Sequence, residues 1–250
     1  MNTIGIIPAR YASTRLPGKP LKDICGKPMI QHVYERVMEA RLIDDVVVAT
    51  DDRRIADAVN EFGGRVVLTR EDHPNGTSRA AEVVAAMDVD IVVNIQGDEP
   101  LIRSEMIDEL AQVMIDDRTL TSATLCYRIP PDQHANPGVV KVVRDHQSYA
   151  LYFSRSLIPY PRNAEDHRVY EHIGIYAYTR PFLLTYSELS DTPLCITESL
   201  EQLKILEHGY RMKVIETRVA YEALSVDTEE DLERVRELVA GEIDQATPSA

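Results

Sequence analysis

The first half of the chain alternates short apolar runs with segments whose apolar positions recur every three or four residues. Residues 3–8 (Thr-Ile-Gly-Ile-Ile-Pro), 45–50 (Asp-Val-Val-Val-Ala-Thr), 65–69 and 90–96 (Asp-Ile-Val-Val-Asn-Ile-Gln) are apolar runs of strand length. Between them, 28–40 carries Ile30, Val33, Tyr34, Val37 and Met38 on one helical face, and 53–62, 78–87 and 104–114 read as further helices. Gly63-Gly64 stops the second of these. Strands without polar alternation must be covered on both faces, so the βαβ pattern predicts a largely parallel sheet between helix layers.

The second half has a different rhythm. Residues 123–127, 139–144, 150–154 and 173–178 read as short strands of alternating or aromatic character, 181–187 and 198–208 as helices, and 213–216 as one more strand. Residues 228–240 form an amphipathic terminal helix, with Thr228 as N-cap and Glu229, Glu230 and Asp231 where the helix dipole favours acid. No internal repeat or low-complexity linker interrupts the chain. The expected organisation is one domain over 1–241 with a polar, frayed tail over 242–250.

A length of 250 residues suffices for one full core. The net charge of −14 excludes a general nucleic-acid or membrane-surface binder, but allows a small anion in a local basic pocket. No apolar stretch is long enough to span a bilayer. Cys25, Cys126 and Cys195 are odd in number and lack metal spacing. Without an apolar N-terminal signal they read as reduced thiols of a cytoplasmic protein, and the Asn75-Gly76-Thr77 glycosylation match carries no meaning.

In open α/β sheets, ligands lie outside the carboxyl ends of the strands. The first predicted strand runs into Arg10-Tyr11-Ala12-Ser13-Thr14-Arg15-Leu16-Pro17-Gly18-Lys19-Pro20. Arginine forks onto phosphate oxygens, lysine adds a point charge, and loop N–H groups can face an anion, so the segment is a candidate polyphosphate cradle. It is neither G-x-G-x-x-G nor Walker A, since Ser13 stands where the first Walker glycine belongs and Pro20 follows Lys19. After the fourth strand comes Gln96-Gly97-Asp98-Glu99-Pro100, where Asp98 sits on a turn suited to holding a divalent cation against a phosphate. Asp227 is a second carboxylate, before the last helix. His172, Gly174 and Tyr176 share a strand face, Arg155 ends an aromatic strand, and Glu198, Glu201 and Gln202 group on one side of a predicted helix. Taken singly, each of these also reads as a turn former, a helix start, a core histidine or a solvated face.

Taken together, the segments resemble the 3-deoxy-manno-octulosonate (KDO) cytidylyltransferases. The resemblance runs through residues 7–21 and 26–30, Val48-Ala49-Thr50-Asp51, Gln96-Gly97-Asp98-Glu99-Pro100 and residues 149–155. It continues through Ile158-Pro159-Tyr160-Pro161-Arg162, His172-Ile173-Gly174-Ile175-Tyr176, residues 198–203 and Val226-Asp227-Thr228. The stretch 159–165 is closer to the capsule-associated branch than to the lipopolysaccharide one.

The resemblance implies an α/β nucleotidyltransferase fold: a Rossmann-type, mostly parallel sheet flanked by helices, with a smaller mixed lobe for sugar binding and dimerisation. It implies Mg²⁺ dependence, a homodimer, and the reaction of CTP with KDO to give CMP-KDO and pyrophosphate. On the family pattern Pro8, Ala9, Arg10, Ser13, Arg15 and Lys19 hold the nucleotide together with Thr77, Arg79 and Gln96. Arg10, Lys19 and Asp98 are the catalytic group, and Asp98 and Asp227 the metal ligands. Gln96, Arg155, His172, Tyr176, Glu201 and Gln202 line the acceptor pocket, where Arg155 or His172 supplies a cation or hydrogen bond to the sugar carboxylate.

The chain departs from the family in two places. Ser78 replaces an acid in Asn75-Gly76-Thr77-Ser78-Arg79, and Ala223-Leu224-Ser225 replaces a Gly- and Pro-containing segment before Asp227. Two alternatives stand beside the main expectation. One is a cytidylyltransferase for another acidic acceptor, such as an amino-substituted KDO, a sialic-acid-like sugar or a small phosphonate. The other is a non-catalytic nucleotide-binding protein of the same fold.

Overall fold

The structure is a computed structural model that describes residues 1–12, 15–221 and 224–246, with side chains through 242. In chain order the elements are β1 (Thr3–Ala9), β2 (Asp23–Ile24), β3 (Lys27–Pro28), α1 (Met29–Met38), β4 (Asp45–Thr50), α2 (Arg53–Glu61), β5 (Val66–Leu68), α3 (Gly76–Ala85) and β6 (Ile91–Asn94). They continue with α4 (Ser104–Asp116), β7 (Ser122–Arg128), β8 (Lys141–Arg144), β9 (Ala150–Ser154), β10 (Tyr170–Thr179), α5 (Arg180–Glu188), α6 (Pro193–Glu198), α7 (Gln202–Glu207), β11 (Lys213–Glu216) and α8 (Glu229–Ala246).

The main sheet has the order β11-β7-β10-β6-β1-β4-β5. Parallel pairing joins β5, β4, β1 and β6, and also β7 and β11. β10 runs antiparallel to both of its neighbours, β6 and β7. β8 pairs with the start of β10, and β9 with β8, building the smaller mixed lobe. The chain leaves β1 towards β4 on one side and returns through β6 on the other, so the crevice at the carboxyl end of β1 is the topological switch point.

Both faces of the central strands are buried. Ile4, Ile6, Val47, Ala49 and Val92 pack against Ala80 and Val84 of α3 and Phe182, Leu183 and Tyr186 of α5. Ile7, Val46, Val48, Ile91 and Val93 pack against Ile30, Val33 and Val37 of α1 and Met106, Leu110 and Met114 of α4. A third cluster sets Leu232, Val235 and Val239 of α8 against Leu16, Ile24, Met29 and Val226. It places the underside of the basic loop and the residue before Asp227 on one small core.

Two local features differ from the sequence expectation. The helix predicted over 198–208 is broken: α6 ends at Glu198, Ser199 takes left-handed φ 53°, and α7 starts at Gln202. Ser199 N–H donates to Ile196 O and Leu200 N–H to Cys195 O, which is a Schellman ending built without glycine. Glu198 therefore does not share a face with Glu201 and Gln202. The terminal helix continues to Ala246, past the expected start of the tail; residues 247–250 lie outside the described residues.

Candidate active site

A cavity of about 670 Å³ opens at the carboxyl ends of β1 and β6 and is lined from both halves of the chain. Gly97 explains how the two strand ends come so close. A Cβ there would lie 2.8 Å from Pro8 O, so only glycine lets the turn after β6 rest on the end of β1. The basic loop after β1 is shaped by Tyr11. Its carbonyl accepts from Gly18 N–H at 3.1 Å, its ring lies under the Arg54 guanidinium, and Asp52 holds Arg54 at 2.6 Å. Gly18 has φ 68° and leads into a short 3₁₀ turn over Lys19–Leu21, which aims Lys19 at the cavity.

One end of the cavity is strongly charged. Lys19 Nζ lies 2.7 Å from Asp98 Oδ2 and 3.2 Å from Asp227 Oδ1, and Arg15 reaches the other oxygen of Asp227 at 2.9 Å. Val226 N–H donates to Asp98 O at 2.9 Å, tying the two carboxylate-bearing turns together. Thr228 and Asp231 cap α8 reciprocally: Thr228 Oγ1 accepts from Asp231 N–H, while the Asp231 carboxylate accepts from the N–H groups of Asp227 and Thr228. Two hard carboxylates thus converge on one cation, here an ammonium, and that donor set suits a divalent ion that keeps waters and phosphate oxygens as its other ligands. Next to this end, Glu99 has its carboxyl pushed up to about 7 by burial and by the neighbouring Asp98, and it accepts from Tyr221 Oη at 3.0 Å.

Pro8, Ala9, Arg10 and Gln96 also line the cavity, as do Asn75 and Gly76 at the start of α3. The Asn75 side chain caps that helix by accepting from Ser78 N–H at 2.8 Å, and the helix start favours an anion. The Ser78 hydroxyl turns back to Asn75 O, and Ser78 lines a separate cleft with Lys204 and Leu184. The departure at Ser78 therefore alters the cap and not the cavity wall. Arg79 reaches the cavity edge, but its guanidinium is committed to Asp51, Thr69 Oγ1 and Arg70 O. Thr77, expected beside the nucleotide, is fully buried instead. It accepts from Asn94 Nδ2 at 3.0 Å and donates to Glu201 Oε1 at 2.7 Å, so it orients the carboxylate of the cavity-lining Glu201. Ser13 and Ala223 lie outside the described residues.

The other end of the cavity is lined by Arg155, His172, Gly174, Tyr176, Glu201 and Gln202. Antiparallel β10 brings His172 and Gly174 here, because its first half runs beyond the end of β6. Opposite β7 it carries a bulge in which Gly174 and Ile175 have no partner. Thr124 holds that bulge: its hydroxyl hydrogen goes to Ile175 O at 2.7 Å and Ile173 O at 3.1 Å. His172 Nε2, 3.0 Å from the same oxygen, must then be the donor, which leaves Nδ1 as the ring's acceptor. Burial pushes the His172 pKa down to about 3, so the ring is neutral. Sequence reasoning allowed His172 as a cation or as a hydrogen-bonding partner, and burial speaks against the first of these. Gln202 is 2% exposed, and its Nε2 has no hydrogen-bond partner among the described residues. Glu201 is pushed up by burial and accepts from Thr77. Arg155 donates through Nε to Glu198 O at 3.0 Å and through Nη1 to Pro137 O at 3.2 Å.

Two residues of this arrangement escaped sequence reasoning: Thr124 and Lys141 carry no motif, and each acts through backbone groups that only the folded chain assembles. Glu198, grouped by sequence with Glu201 and Gln202, instead accepts from Ser154 Oγ and Arg155 N–H.

The cytidylyltransferase family model matches residues 4–217. The chain belongs to the cytidylyltransferase family. Within that family it is 51% identical over 249 residues to the 3-deoxy-manno-octulosonate cytidylyltransferase of Geotalea uraniireducens, covering 95% of this chain and 98% of that one. It is 51% identical over 238 residues to the enzyme of that name from Escherichia coli, covering 95% and 96%. A solved structure of CMP:2-keto-3-deoxy-manno-octonic acid synthetase complexed with CTP superposes with TM-score 0.93 at 50% identity, covering 97% of this chain and 100% of that one. A cytidylyltransferase from Leptospira borgpetersenii, at 16% identity and TM-score 0.62, shares the fold. Among the described residues, no helix of this cytidylyltransferase is long and apolar enough to cross a membrane.

Proposed function

We propose that this chain transfers CMP from CTP to the anomeric C2 hydroxyl of KDO, giving CMP-KDO and pyrophosphate. The observation that carries the reading is one cavity with two chemically distinct ends. Lys19, Arg15, Asp98 and Asp227 form a phosphate-and-cation end, and Arg155, His172, Tyr176 and Gln202 a polar end with hydrogen-bonding groups for a sugar acid. Relatives about half identical over nearly the full length, named for this reaction, support it.

The attacking C2 oxygen and the leaving pyrophosphate lie in line through the α-phosphorus. Catalysis is then mainly positioning and neutralisation of charge on the phosphate oxygens. Lys19, Arg10 and Arg15 take the triphosphate, and the α3 start faces the nucleotide. Asp98 and Asp227 would hold Mg²⁺, which when bound clamps phosphate oxygens and lowers the pKa of the attacking hydroxyl. With those carboxylates committed to a metal, Lys19 would be available to the phosphates. At the sugar end, neutral His172 offers Nδ1 to a sugar hydroxyl, Gln202 offers its open amide, and the carboxylate falls to Arg155.

The deciding experiment is pyrophosphate release with CTP and Mg²⁺, with KDO set beside other acidic sugars and phosphonates. KDO-dependent release is the expected result; release only with another acceptor would overturn the substrate. A cytoplasmic location and a homodimer go with this reading. Leu151 of β9, Tyr160, and Leu194 and Ile196 of α6 are large apolar side chains exposed on the mixed lobe, where a second copy would cover them. Ile196→Asp should shift the mass in light scattering from dimer to monomer, and a monomeric wild type would refute the assignment.

A further inference from the structure

Lys141 opens β8 and is fully buried. Its ammonium donates to Asn136 O at 2.9 Å, Val139 O at 2.6 Å and Arg155 O. An ammonium has three donors and no acceptor, so these carbonyls saturate it. Burying a charge is costly unless it is hydrogen-bonded in this way, and lysine is rarely found fully buried. The carboxylates that act on it from nearby are Glu198 and Glu171, its partner in the β10–β8 register, whose carboxyl accepts from Tyr127 Oη at 2.5 Å.

The three carbonyls belong to two segments that both reach the cavity. One is the strap over 136–139, which leads into the cavity-lining Val140. The other is Arg155, directly after β9. The Arg155 guanidinium rests on Pro137 O of the same strap, and Val140 O accepts from His172 N–H at 2.8 Å. The peptide and the side chain of Arg155 are thus both referred to the strap that Lys141 holds, and through Val140 the strap is tied to His172.

We propose that Lys141 is a positioning residue for the acceptor: it locks the 136–139 strap to the Arg155 backbone so that the Arg155 guanidinium meets the sugar carboxylate. The proposal rests on Arg155 being the carboxylate anchor. Removing the ammonium takes the side-chain donor from Val139 O and Arg155 O, leaves Asn136 O with only the Val139 N–H at 3.2 Å, and leaves the strap joined to Arg155 through Pro137 O alone. The phosphate end, built from β1, β6 and the segment before α8, is untouched.

The test is steady-state kinetics of Lys141→Met, Arg155→Ala and the double variant, with KDO and CTP varied in turn. Lys141→Met is expected to raise the KM for KDO about tenfold, which corresponds to about 1.4 kcal/mol, and to leave the KM for CTP within about twofold. The double variant should be no worse than Arg155→Ala alone, because both changes act on one contact. Equal rises in both KM values, an unchanged KM for KDO, or full additivity would overturn the proposal and leave Lys141 as a structural residue. If Arg155→Ala leaves the KM for KDO unchanged, the anchor reading fails and the proposal with it. If Arg155→Ala raises it and Lys141→Met does not, the proposal alone fails. Should Lys141→Met not fold, Lys141→Gln, whose amide can serve at most two of the carbonyls, carries the same comparison.

Discussion

Acidification should destabilise this protein through His172 in a way that one substitution isolates. The ring is 7% exposed, sits edge-on to Phe153 with ring centroids 5.0 Å apart, and spends its Nε2 hydrogen on Thr124. Burial holds its pKa near 3, against 6.5 for a free histidine. Between these values the unfolded ring takes up a proton that the folded ring refuses. The unfolded state therefore binds more protons, and falling pH favours it. The slope is about 1.4 kcal/mol per pH unit, so His172 should cost about 2 kcal/mol by pH 5 and about 3 kcal/mol by pH 4, relative to pH 8. Urea unfolding of the wild type and His172→Gln over pH 8 to 4 is the assay. Glutamine keeps a donor for Thr124 and does not titrate, and all other titrations cancel in the difference. The wild-type curve should fall away from the variant below about pH 6.5. Parallel curves would show that the folded ring takes its proton freely, and would refute both its neutrality and its assignment as a hydrogen-bond acceptor for the sugar.

Other substitutions probe the opposite end of the cavity. Asp98→Asn should cut turnover by roughly a hundredfold or more. It should cost less than about 1 kcal/mol of stability, because the Lys19 pair is partly open to solvent. Turnover near wild type would remove Asp98 from the centre. Gly97→Ala pushes a Cβ to 2.8 Å from Pro8 O, a backbone atom that cannot swing aside. It should cost about 1–3 kcal/mol in urea unfolding and raise the KM for CTP, and wild-type values for both would refute the close approach of β1 and β6.

The first half of the fold was legible because its strands are buried on both faces and its helices carry clean apolar stripes. Ile4, Gly5, Ile6 and Ile7 run together with no polar residue among them. The loops after β1 and β6 announced their chemistry through residue type alone. The break at Ser199 was not legible, since its left-handed turn uses serine where sequence rules look for glycine. Thr77 was placed by its neighbours in a motif, but helix phase carries its hydroxyl to Glu201. The neutrality of His172 depends on Phe153 and Thr124, both distant in sequence, and on a bulge two residues further along β10 that no sequence signal marks. Lys141 carries no sequence signal, and only the paths of the strap and of β9 put three carbonyls around it.

The ion pair between Lys19 and Asp227 joins positions 208 residues apart in sequence. A ribosome must pass residue 227 before the second carboxylate exists, and α8 must emerge before the cluster of Leu16, Val226 and Leu232 can close beneath it. A nascent chain that has already folded β1 through β6 still holds half a phosphate end. The charged end of the cavity is therefore completed only after residue 227 has been made, and a chain that stops before it lacks one of the two carboxylates and the part of the apolar cluster that α8 supplies.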